Sequence, residues 1–161
     1  MPTAHFLSPF GCFELSGSEL GLRSVRWIDV HPCPAGPIPP ELKPAVQQLD
    51  EYFKQQRKVF DLRLDWSGAP DFHRAVWEAL LRIPYGHTTS YGAIAEQLGD
   101  PKSVRAVGQA NKHNPIAIIV PCHRVIAKSG ELQGYFYGLD FKRRLLALEN
   151  PLGFAEQGSL F

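Results

Sequence analysis

A cysteine and a histidine stand side by side at Cys122 and His123, and they are the residues of this chain best suited to chemistry. They follow Pro121 and a short apolar run, residues 116–120, which predicts a buried strand or extended segment. Cysteine attacks as its thiolate, and an adjacent imidazole can accept the thiol proton. The pattern therefore predicts a nucleophile presented at the end of a buried segment. A buried cysteine that only fills space is the simpler interpretation, and the dipeptide alone does not exclude it.

The other two cysteines, Cys12 and Cys33, lie in the first half of the chain with His5 and His31. These four groups could bind zinc, but their spacing matches no compact ligand motif, so no metal site is predicted. An odd total of three cysteines suits a reducing compartment, which predicts the cytoplasm, or the nucleus in a eukaryote. No apolar run is long enough to span a bilayer, and no secretory signal opens the chain.

Positive charge is concentrated in one region, although the formal net charge of the chain is only +1. Residues 91–128 contain five basic and two acidic side chains, which leaves a local positive excess around Cys122. Such an excess permits a polyanionic partner such as a nucleic acid but does not require one.

Residues 1–67 are predicted to form a small α/β domain with an antiparallel sheet and a helix. Residues 9–30 favour a β-hairpin, and apolar side chains spaced by three and four indicate a helix over residues 41–56. Residues 59–64 suggest one more strand, whereas the prolines of residues 31–40 predict an exposed loop.

Residues 68–150 have a mainly helical pattern and are predicted to form a second domain. Two short helices, residues 91–98 and 102–112, are joined by a turn that contains glycine, which is typical of a helix-turn-helix. An ordinary helical hairpin in a core has the same pattern, so this feature alone does not distinguish a DNA-binding motif from a structural one. A last helix is predicted to end at Glu149, and residues 151–161 are predicted to be a tail.

Six short motifs follow one another in the order and spacing of one family. They are Ile83-Pro84-Tyr85-Gly86, Ser90-Tyr91, Arg105-Ala106-Val107-Gly108, Asn114-Pro115, Pro121-Cys122-His123-Arg124-Val125 and Gly134-Tyr135. On these motifs the chain resembles the 6-O-alkylguanine-DNA alkyltransferases, over nearly all of residues 70–149. The first half resembles the family only loosely.

The resemblance implies an α/β fold in which a small N-terminal domain precedes a mainly helical domain with a winged helix-turn-helix. It implies direct reversal of DNA alkylation damage. The alkyl group of O6-alkylguanine, and also of O4-alkylthymine if that lesion is accepted, moves irreversibly to a cysteine. Each molecule therefore acts once as a suicide methyltransferase, and no cofactor is required.

Four residues match the family positions that carry the chemistry. Cys122 would accept the alkyl group, His123 would take its proton through a water, and Glu149 would hold the imidazole in the correct tautomer. Asn114 matches a hinge residue that ties the recognition helix to the cysteine segment. Without the resemblance, Glu149 is equally well explained as a solvated residue that ends the last helix.

Further positions would bind the flipped base or line its pocket. Tyr135 matches the residue that donates to the purine ring nitrogen, and backbone groups near Val125 would bind the base. Tyr137 and Phe136 stand where the family usually has small residues, so we expect them to narrow the pocket and to favour methyl over benzyl adducts. The simpler interpretation of Tyr135 is a core aromatic residue.

Binding to double-stranded DNA through the minor groove is implied as well, because a stacked base cannot reach a buried thiol and must be flipped out. Arg105 matches the arginine that fills the vacated stack, and Tyr91 the residue that rotates the neighbouring phosphate. Ala106 and Gly108 are small enough to let the helix approach the groove floor. The protein is expected to be a monomer that could assemble cooperatively on DNA, with no membrane contact.

The last five residues form a separate motif that the family resemblance does not cover. Gln157, Leu160 and Phe161 resemble the peptides with which bacterial DNA-processing proteins bind the replication sliding clamp. A tail that folds back on the protein, or that is disordered, is the alternative.

Three other functions remain open from the sequence. A lesion sensor would flip damaged bases without reacting, but those proteins lack the cysteine. A Cys-His-Glu hydrolase on another fold would turn over repeatedly on small esters, and a winged-helix regulator would show strong sequence preference.

Overall fold

The computed structural model describes residues 1–127, 135 and 137–151, and the description below is confined to them. The chain divides into two compact units. The first contains Met1–Ser67 and Pro115–Ala117, and the second contains Gly68–Asn114 and the residues from Ile118 onward. Pro115–Ala117 lie within residues 68–150, which are predicted to form the second domain. The structure groups them with the first because the Val25 amide donates to the Pro115 carbonyl (3.0 Å) and the Ala117 amide to the Val25 carbonyl (3.1 Å).

The first unit is built on an antiparallel sheet of three strands, β1 (Thr3–Ser8), β2 (Gly11–Ser18) and β3 (Gly21–Ile28), in that order. The predicted hairpin corresponds to β2 and β3, whereas β1 was not predicted. Helix α1 (Lys43–Phe53) follows a 3-10 turn, Pro40–Leu42. Alternate side chains of the sheet and one face of α1 form the core, as strand and helix periodicities require. Its members include Phe6, Phe13, Leu15, Val25, Leu49, Tyr52 and Phe53.

The predicted strand over residues 59–64 is wrong except at its end. Only Leu64 forms a bridge, to Leu22. The side chain of Gln48 explains the difference, because it accepts from the Asp61 amide (2.9 Å) and donates to the Asp61 carbonyl (3.1 Å). Both backbone groups that a strand ladder would need at Asp61 are therefore already satisfied by a side chain.

A disulfide joins Cys12 and Cys33, whose Cα atoms are 5.4 Å apart. The odd number of cysteines did not predict this disulfide. The odd total consists of one bonded pair and the free, buried Cys122. The pairing also removes two of the four groups that were weighed as zinc ligands. Among the described residues no three His, Cys, Asp or Glu side chains are grouped as a metal site would require.

We expect the disulfide to contribute to the stability of the first unit. It closes a loop of sequence separation 21, for which the loss of chain entropy in the unfolded state corresponds to about 3 kcal/mol. Reduction, or a Cys33→Ser substitution, should lower the urea midpoint of unfolding. Urea titrations of the wild type with and without reductant measure the effect, and the Cys33→Ser variant should not respond to reductant. Equal midpoints for the oxidised and reduced wild type would contradict the expectation.

The second unit contains four helices within the described residues: α2 (Asp71–Leu81), α3 (Tyr91–Gln97), α4 (Val104–Lys112) and α5 (Leu139–Glu149). Ser90 caps α3, because its hydroxyl accepts from the Ala93 amide (3.0 Å). Gly99, at φ 80°, lies in the turn that leads to α4, so α3 and α4 form the predicted helix-turn-helix. The Trp77 indole donates to the Ala110 carbonyl (2.8 Å) and so holds the end of α4 against α2.

The apolar run at residues 116–120 is buried as predicted, but it is not a strand. Ile116 forms a single bridge to Val25, and residues 117–119 form turns in which Ile118 has a left-handed φ of 72°. The carbonyl of Val120 accepts from the Asn114 side chain (2.8 Å) and from the Cys122 amide (2.8 Å), which curls the backbone just before the cysteine. The chain then leaves through a short strand β5 (Val125–Ile126), which is parallel to β4 (Thr89–Ser90).

None of the helices in the described ranges is both long and apolar enough to cross a membrane. Several predictions fall outside the described residues. They concern Phe136, the glycines of the loop before Tyr135, and the motif of Gln157, Leu160 and Phe161.

Candidate active site

Cys122 begins a 3-10 turn, Cys122–Arg124, and only 6% of its surface is exposed. Its carbonyl accepts from the Val125 amide and from the side chain of Asn111 on α4 (3.3 Å). Cys122 is therefore held by a backbone bond within its own turn and by a side-chain amide from the second helix of the helix-turn-helix. A hydrogen bond thus links α4 to the turn that contains Cys122.

His123, Arg124 and Glu149 form a buried ion cluster next to the cysteine. His123 Nε2 lies 2.6 Å from Glu149 Oε2, and Arg124 donates to both carboxylate oxygens, from Nε at 2.8 Å and from Nη2 at 3.1 Å. Arg124 Nη1 also donates to the Ile83 carbonyl (2.6 Å). Arg124 is part of the predicted motif, but its two hydrogen bonds to Glu149 were not predicted.

The cluster determines which nitrogen of His123 is basic. Although burial opposes ionisation, the hydrogen bonds from His123 and Arg124 and the charge of Arg124 hold the pKa of Glu149 far below its usual value, so the carboxylate is ionised and can only accept. Nε2 must then carry the proton that it donates to Glu149. Burial lowers the pKa of His123, which keeps the imidazole neutral, and Nδ1 is left with the lone pair. That atom is buried and bonds to no residue that the structure describes, so it is available to receive a proton.

The Cys122 thiol is protonated at rest. Burial raises its pKa, against the opposing effects of a hydrogen bond from Asn114 and the charge of Lys142. A thiol in this state needs a base before it can attack a saturated carbon. The neutral imidazole of His123, the next residue in the chain, is a group that can act as such a base.

Tyr135 and Tyr137 lie together at the start of α5. Their ring centroids are 5.8 Å apart, and both rings contact Phe141. Burial, followed by the nearby Cys122, raises the pKa of Tyr135 well above its usual value, so the hydroxyl keeps its proton. It makes no hydrogen bond of standard geometry within the described residues and can therefore donate to an incoming base.

The residues predicted to bind DNA lie on α3 and α4. Arg105 and Ala106 are exposed on α4, and burial raises the pKa of Tyr91 to about 12, which makes its hydroxyl a permanent donor. Gly108 is half-buried, and a Cβ built there would meet the Tyr91 ring at 3.9 Å, an ordinary contact distance. The small size of Gly108 is therefore not required by packing within the protein.

The structure thus brings Cys122, His123, Glu149, Asn114 and Tyr135 into one buried cluster, while their roles stay predictions. Two members of this neighbourhood were missed, Asn111 and Lys142. The signal for Lys142 was present in the sequence, because it lies three, four and seven residues before Leu145, Leu146 and Glu149, on the buried face of α5.

Comparison with known families gives a match over almost the whole chain. The family model described as 6-O-methylguanine DNA methyltransferase, DNA binding domain, matches residues 71–151. The one described as 6-O-methylguanine DNA methyltransferase, ribonuclease-like domain, matches residues 4–66. The chain belongs to the 6-O-methylguanine DNA methyltransferase family.

Individual relatives agree with this assignment. A methylated-DNA–protein-cysteine methyltransferase of Mycolicibacterium paratuberculosis is 51% identical over 146 residues, which cover 88% of each chain. One from Methanosarcina acetivorans is 47% identical over 151 residues, covering 91% of this chain and 96% of the relative. Among solved structures, Mycobacterium tuberculosis OGT in complex with DNA superposes with a TM-score of 0.82 at 48% identity, over 91% of each chain. The predicted fold class, a small α/β domain followed by a mainly helical one, is confirmed.

Proposed function

We propose that this protein repairs alkylated DNA by direct reversal, as a methylated-DNA–protein-cysteine methyltransferase that acts once. The observation that carries the proposal is the buried hydrogen bond between His123, the residue after Cys122, and Glu149, which leaves a neutral imidazole whose Nδ1 bonds to no described residue. A site of this kind makes a nucleophile without a metal ion or an external base.

The reaction balances with these groups alone. His123 takes the Cys122 proton, and the thiolate sulfur attacks the alkyl carbon on O6 of guanine. The sulfur–carbon bond forms as the carbon–oxygen bond breaks, and the electron pair moves onto the guanine. The guanine leaves as an anion to which the Tyr135 hydroxyl donates a hydrogen bond, and the proton that left Cys122 stays on His123. The product is a thioether that the site has no means to reverse, so the stoichiometry is one alkyl group per protein.

Access to the buried thiol requires the lesion to leave the duplex. We propose that α4 enters the minor groove, that Arg105 occupies the vacated stack and that Tyr91 contacts the neighbouring phosphate. The exposure of Arg105 and Ala106 on α4 supports this assignment. The link from α4 to Cys122 through Asn111 supports it as well.

Intact mass spectrometry after mixing with an oligonucleotide that carries 6-O-methylguanine tests the proposal. A single addition of one methyl group, mapped by peptide fragmentation to Cys122, is the expected result. Tight binding without any mass change would instead indicate a lesion sensor. Repeated turnover of a small ester in the absence of DNA would indicate a hydrolase.

Arg105→Ala should impair flipping and leave the chemistry intact. We expect repair of duplex DNA to slow roughly 30- to 100-fold, because the arginine offsets a few kcal/mol of lost stacking. Reaction with the free alkylguanine base should change less than about threefold, since no stack is broken. Rapid-quench rates on duplex DNA and on the free base measure the two losses. Arg82→Ala, which removes another exposed arginine, is the control. Equal losses on duplex and free base would contradict the assignment.

The C-terminal motif suggests where the protein acts. We propose that Gln157, Leu160 and Phe161 bind the replication sliding clamp, because a glutamine can bond directionally while a terminal Leu-Phe pair fills an apolar pocket. A calorimetric titration of the host clamp with the full chain and with a chain ending at Glu156 tests this. Equal binding by both chains, or no binding by either, would refute it.

We also propose that the protein is a monomer and that it acts in the cytoplasm. Size-exclusion chromatography tests the first point, and cell fractionation tests the second.

A further inference from the structure

Asn111 is a buried asparagine to which the proposed reaction assigns no step. It lies on the buried face of α4, one turn after Val107, and only 1% of its surface is exposed. Its Nδ2 donates to the Cys122 carbonyl (3.3 Å). Buried helix positions usually hold apolar residues, because burying an amide costs free energy that hydrogen bonds must offset. A side-chain amide at this position therefore needs an explanation.

The bond from Asn111 differs from the bonds that lie within the cysteine segment. There the Cys122 amide donates to the Val120 carbonyl (2.8 Å), and the Val125 amide donates to the Cys122 carbonyl. These bonds shape the turn, but they move with it and do not fix its orientation relative to the helices. The bond from Asn111 adds a fixed point outside the turn, at the residue that carries the thiol.

The C-terminal end of α4 is itself held in place. The Trp77 indole of α2 donates to the carbonyl of Ala110, the residue before Asn111, at 2.8 Å. Val107 and Ala110 have no exposed surface and pack on the buried side of the helix. An amide on a helix that is packed in this way has little freedom, so the carbonyl that it binds is held at a defined place.

Stability does not account for an asparagine at this position. The other polar atom of its side chain, Oδ1, is buried and accepts from no residue that the structure describes. A buried acceptor without a donor lowers the free energy of unfolding. If Asn111 were replaced, the Cys122 carbonyl would keep a partner in the Val125 amide. An apolar side chain of similar branched shape should therefore support folding at least as well.

We propose that Asn111 is a positioning residue whose hydrogen bond to the Cys122 carbonyl holds the turn in the orientation from which the sulfur meets the alkyl carbon of the flipped base. The inference rests on the proposed function for the role of Cys122 and names the residue that directs the nucleophile. Asn111 takes up no proton and forms no bond with the alkyl group. Attack on a saturated carbon requires the sulfur to approach opposite the bond that breaks, so a small change in its direction slows the reaction.

Asn111→Leu removes the donor and keeps a branched side chain. At saturating lesion duplex, the single-turnover rate of methyl transfer should fall about 10- to 100-fold, the effect of misplacing a reacting group by about 1 Å. The duplex concentration that gives half of the maximal rate should change less than about threefold, because Asn111 is not among the residues proposed to bind DNA. Reaction with the free alkylguanine base should fall by the same factor as the duplex reaction, in contrast to Arg105→Ala. Gln109→Leu, which removes an exposed amide from the same helix, should react with the free base at the wild-type rate.

Two further measurements separate positioning from other roles. Alkylation of Cys122 by iodoacetamide, a small reagent with no fixed orientation, should keep its rate to within about threefold, because the acidity of the thiol is not changed. The urea midpoint of Asn111→Leu should equal or exceed that of the wild type. A residue that only supported the core would give the opposite result, a lower midpoint and an unchanged rate of methyl transfer in the folded protein.

The proposal is refuted if folded Asn111→Leu transfers the methyl group at the wild-type rate. It is also refuted if iodoacetamide reactivity falls by the same factor as methyl transfer, because Asn111 would then act on the acidity of the thiol. If the leucine variant does not fold, Asn111→Ala, which also lacks a donor and is too small to clash, decides by the same rates. Failure of both variants to fold would show a structural role and refute the proposal as well. A wild type that adds no methyl group would contradict the proposed function, and the inference with it.

Discussion

Replacing Cys122 by serine is expected to abolish alkyl transfer while binding to lesion DNA is retained. A serine hydroxyl is far less acidic than a thiol and its oxygen is less polarisable, so His123 cannot generate a comparable nucleophile. We expect the transfer rate to fall by at least about a thousandfold, as for other enzymes that lose their nucleophile. Intact mass should show no methyl addition, and fluorescence anisotropy with a labelled lesion duplex should give an affinity within about threefold of the wild type.

Cys33→Ser provides the matched control, because it also replaces one cysteine by serine but removes the disulfide of the first unit instead. It should be less stable yet accept a methyl group at the wild-type rate under conditions where it is folded. Methylation of Cys12 or Cys33 with Cys122 unmodified would refute the assignment of the nucleophile.

The helices of the second unit were predictable because their signals are local. Ser90 precedes α3 and caps it as its residue type predicts, and Gly99 occupies the turn that needs a positive φ. The Pro121-Cys122-His123 segment was predicted as a presented nucleophile, and its burial beside Glu149 follows from a contact between residues 26 positions apart. Only the family resemblance pointed to that pair, since no periodicity relates the two residues.

The two wrong strand predictions, at residues 59–64 and 116–120, have a common physical cause. In both segments a side chain forms hydrogen bonds with backbone groups that a strand would otherwise pair. Gln48 binds both backbone groups of Asp61, so a segment with strand propensity does not form a ladder. Asn114 binds the Val120 carbonyl, so a β-branched apolar run curls into turns instead of extending. Such bonds depend on which side chain arrives from a distant part of the chain, and propensity over a local window contains no information about that.

The disulfide and Lys142 were missed for a related reason. A count of three cysteines does not distinguish three free thiols from one pair and one thiol, because pairing depends on whether Cys12 and Cys33 meet in space. Lys142 lies on the apolar stripe of α5, where a charged residue is usually treated as an interruption. In the folded protein its ammonium group donates to the buried Val125 carbonyl.

Glu149→Gln is expected to reduce methyl transfer about a hundredfold to ten thousandfold, the range that general-base catalysis contributes. The amide can still accept a hydrogen bond from His123 Nε2, so the geometry is nearly kept. It cannot stabilise the imidazolium that forms when His123 takes the thiol proton, and the pKa of His123 should fall further. Single-turnover rates measured by intact mass give the size of the effect. Asp140→Asn removes an exposed carboxylate from the same helix and should react at the wild-type rate.

The same substitution should have a distinct effect on stability, because it leaves the buried guanidinium of Arg124 without its carboxylate. Removing one partner of a buried ion pair costs about 3–5 kcal/mol at neutral pH. The pKa of Glu149 in the folded protein lies far below the value of 4.5 that it has when unperturbed. The stabilisation is therefore present above pH 4.5 and is lost as the pH falls towards the folded pKa. Urea titrations should show that the free energy of unfolding of the wild type exceeds that of Glu149→Gln by a constant amount from pH 8 to 5. This difference should become smaller below pH 4.5. A difference that does not change with pH would mean that Glu149 is not ionised in the folded protein, and the assigned tautomer of His123 would then be wrong.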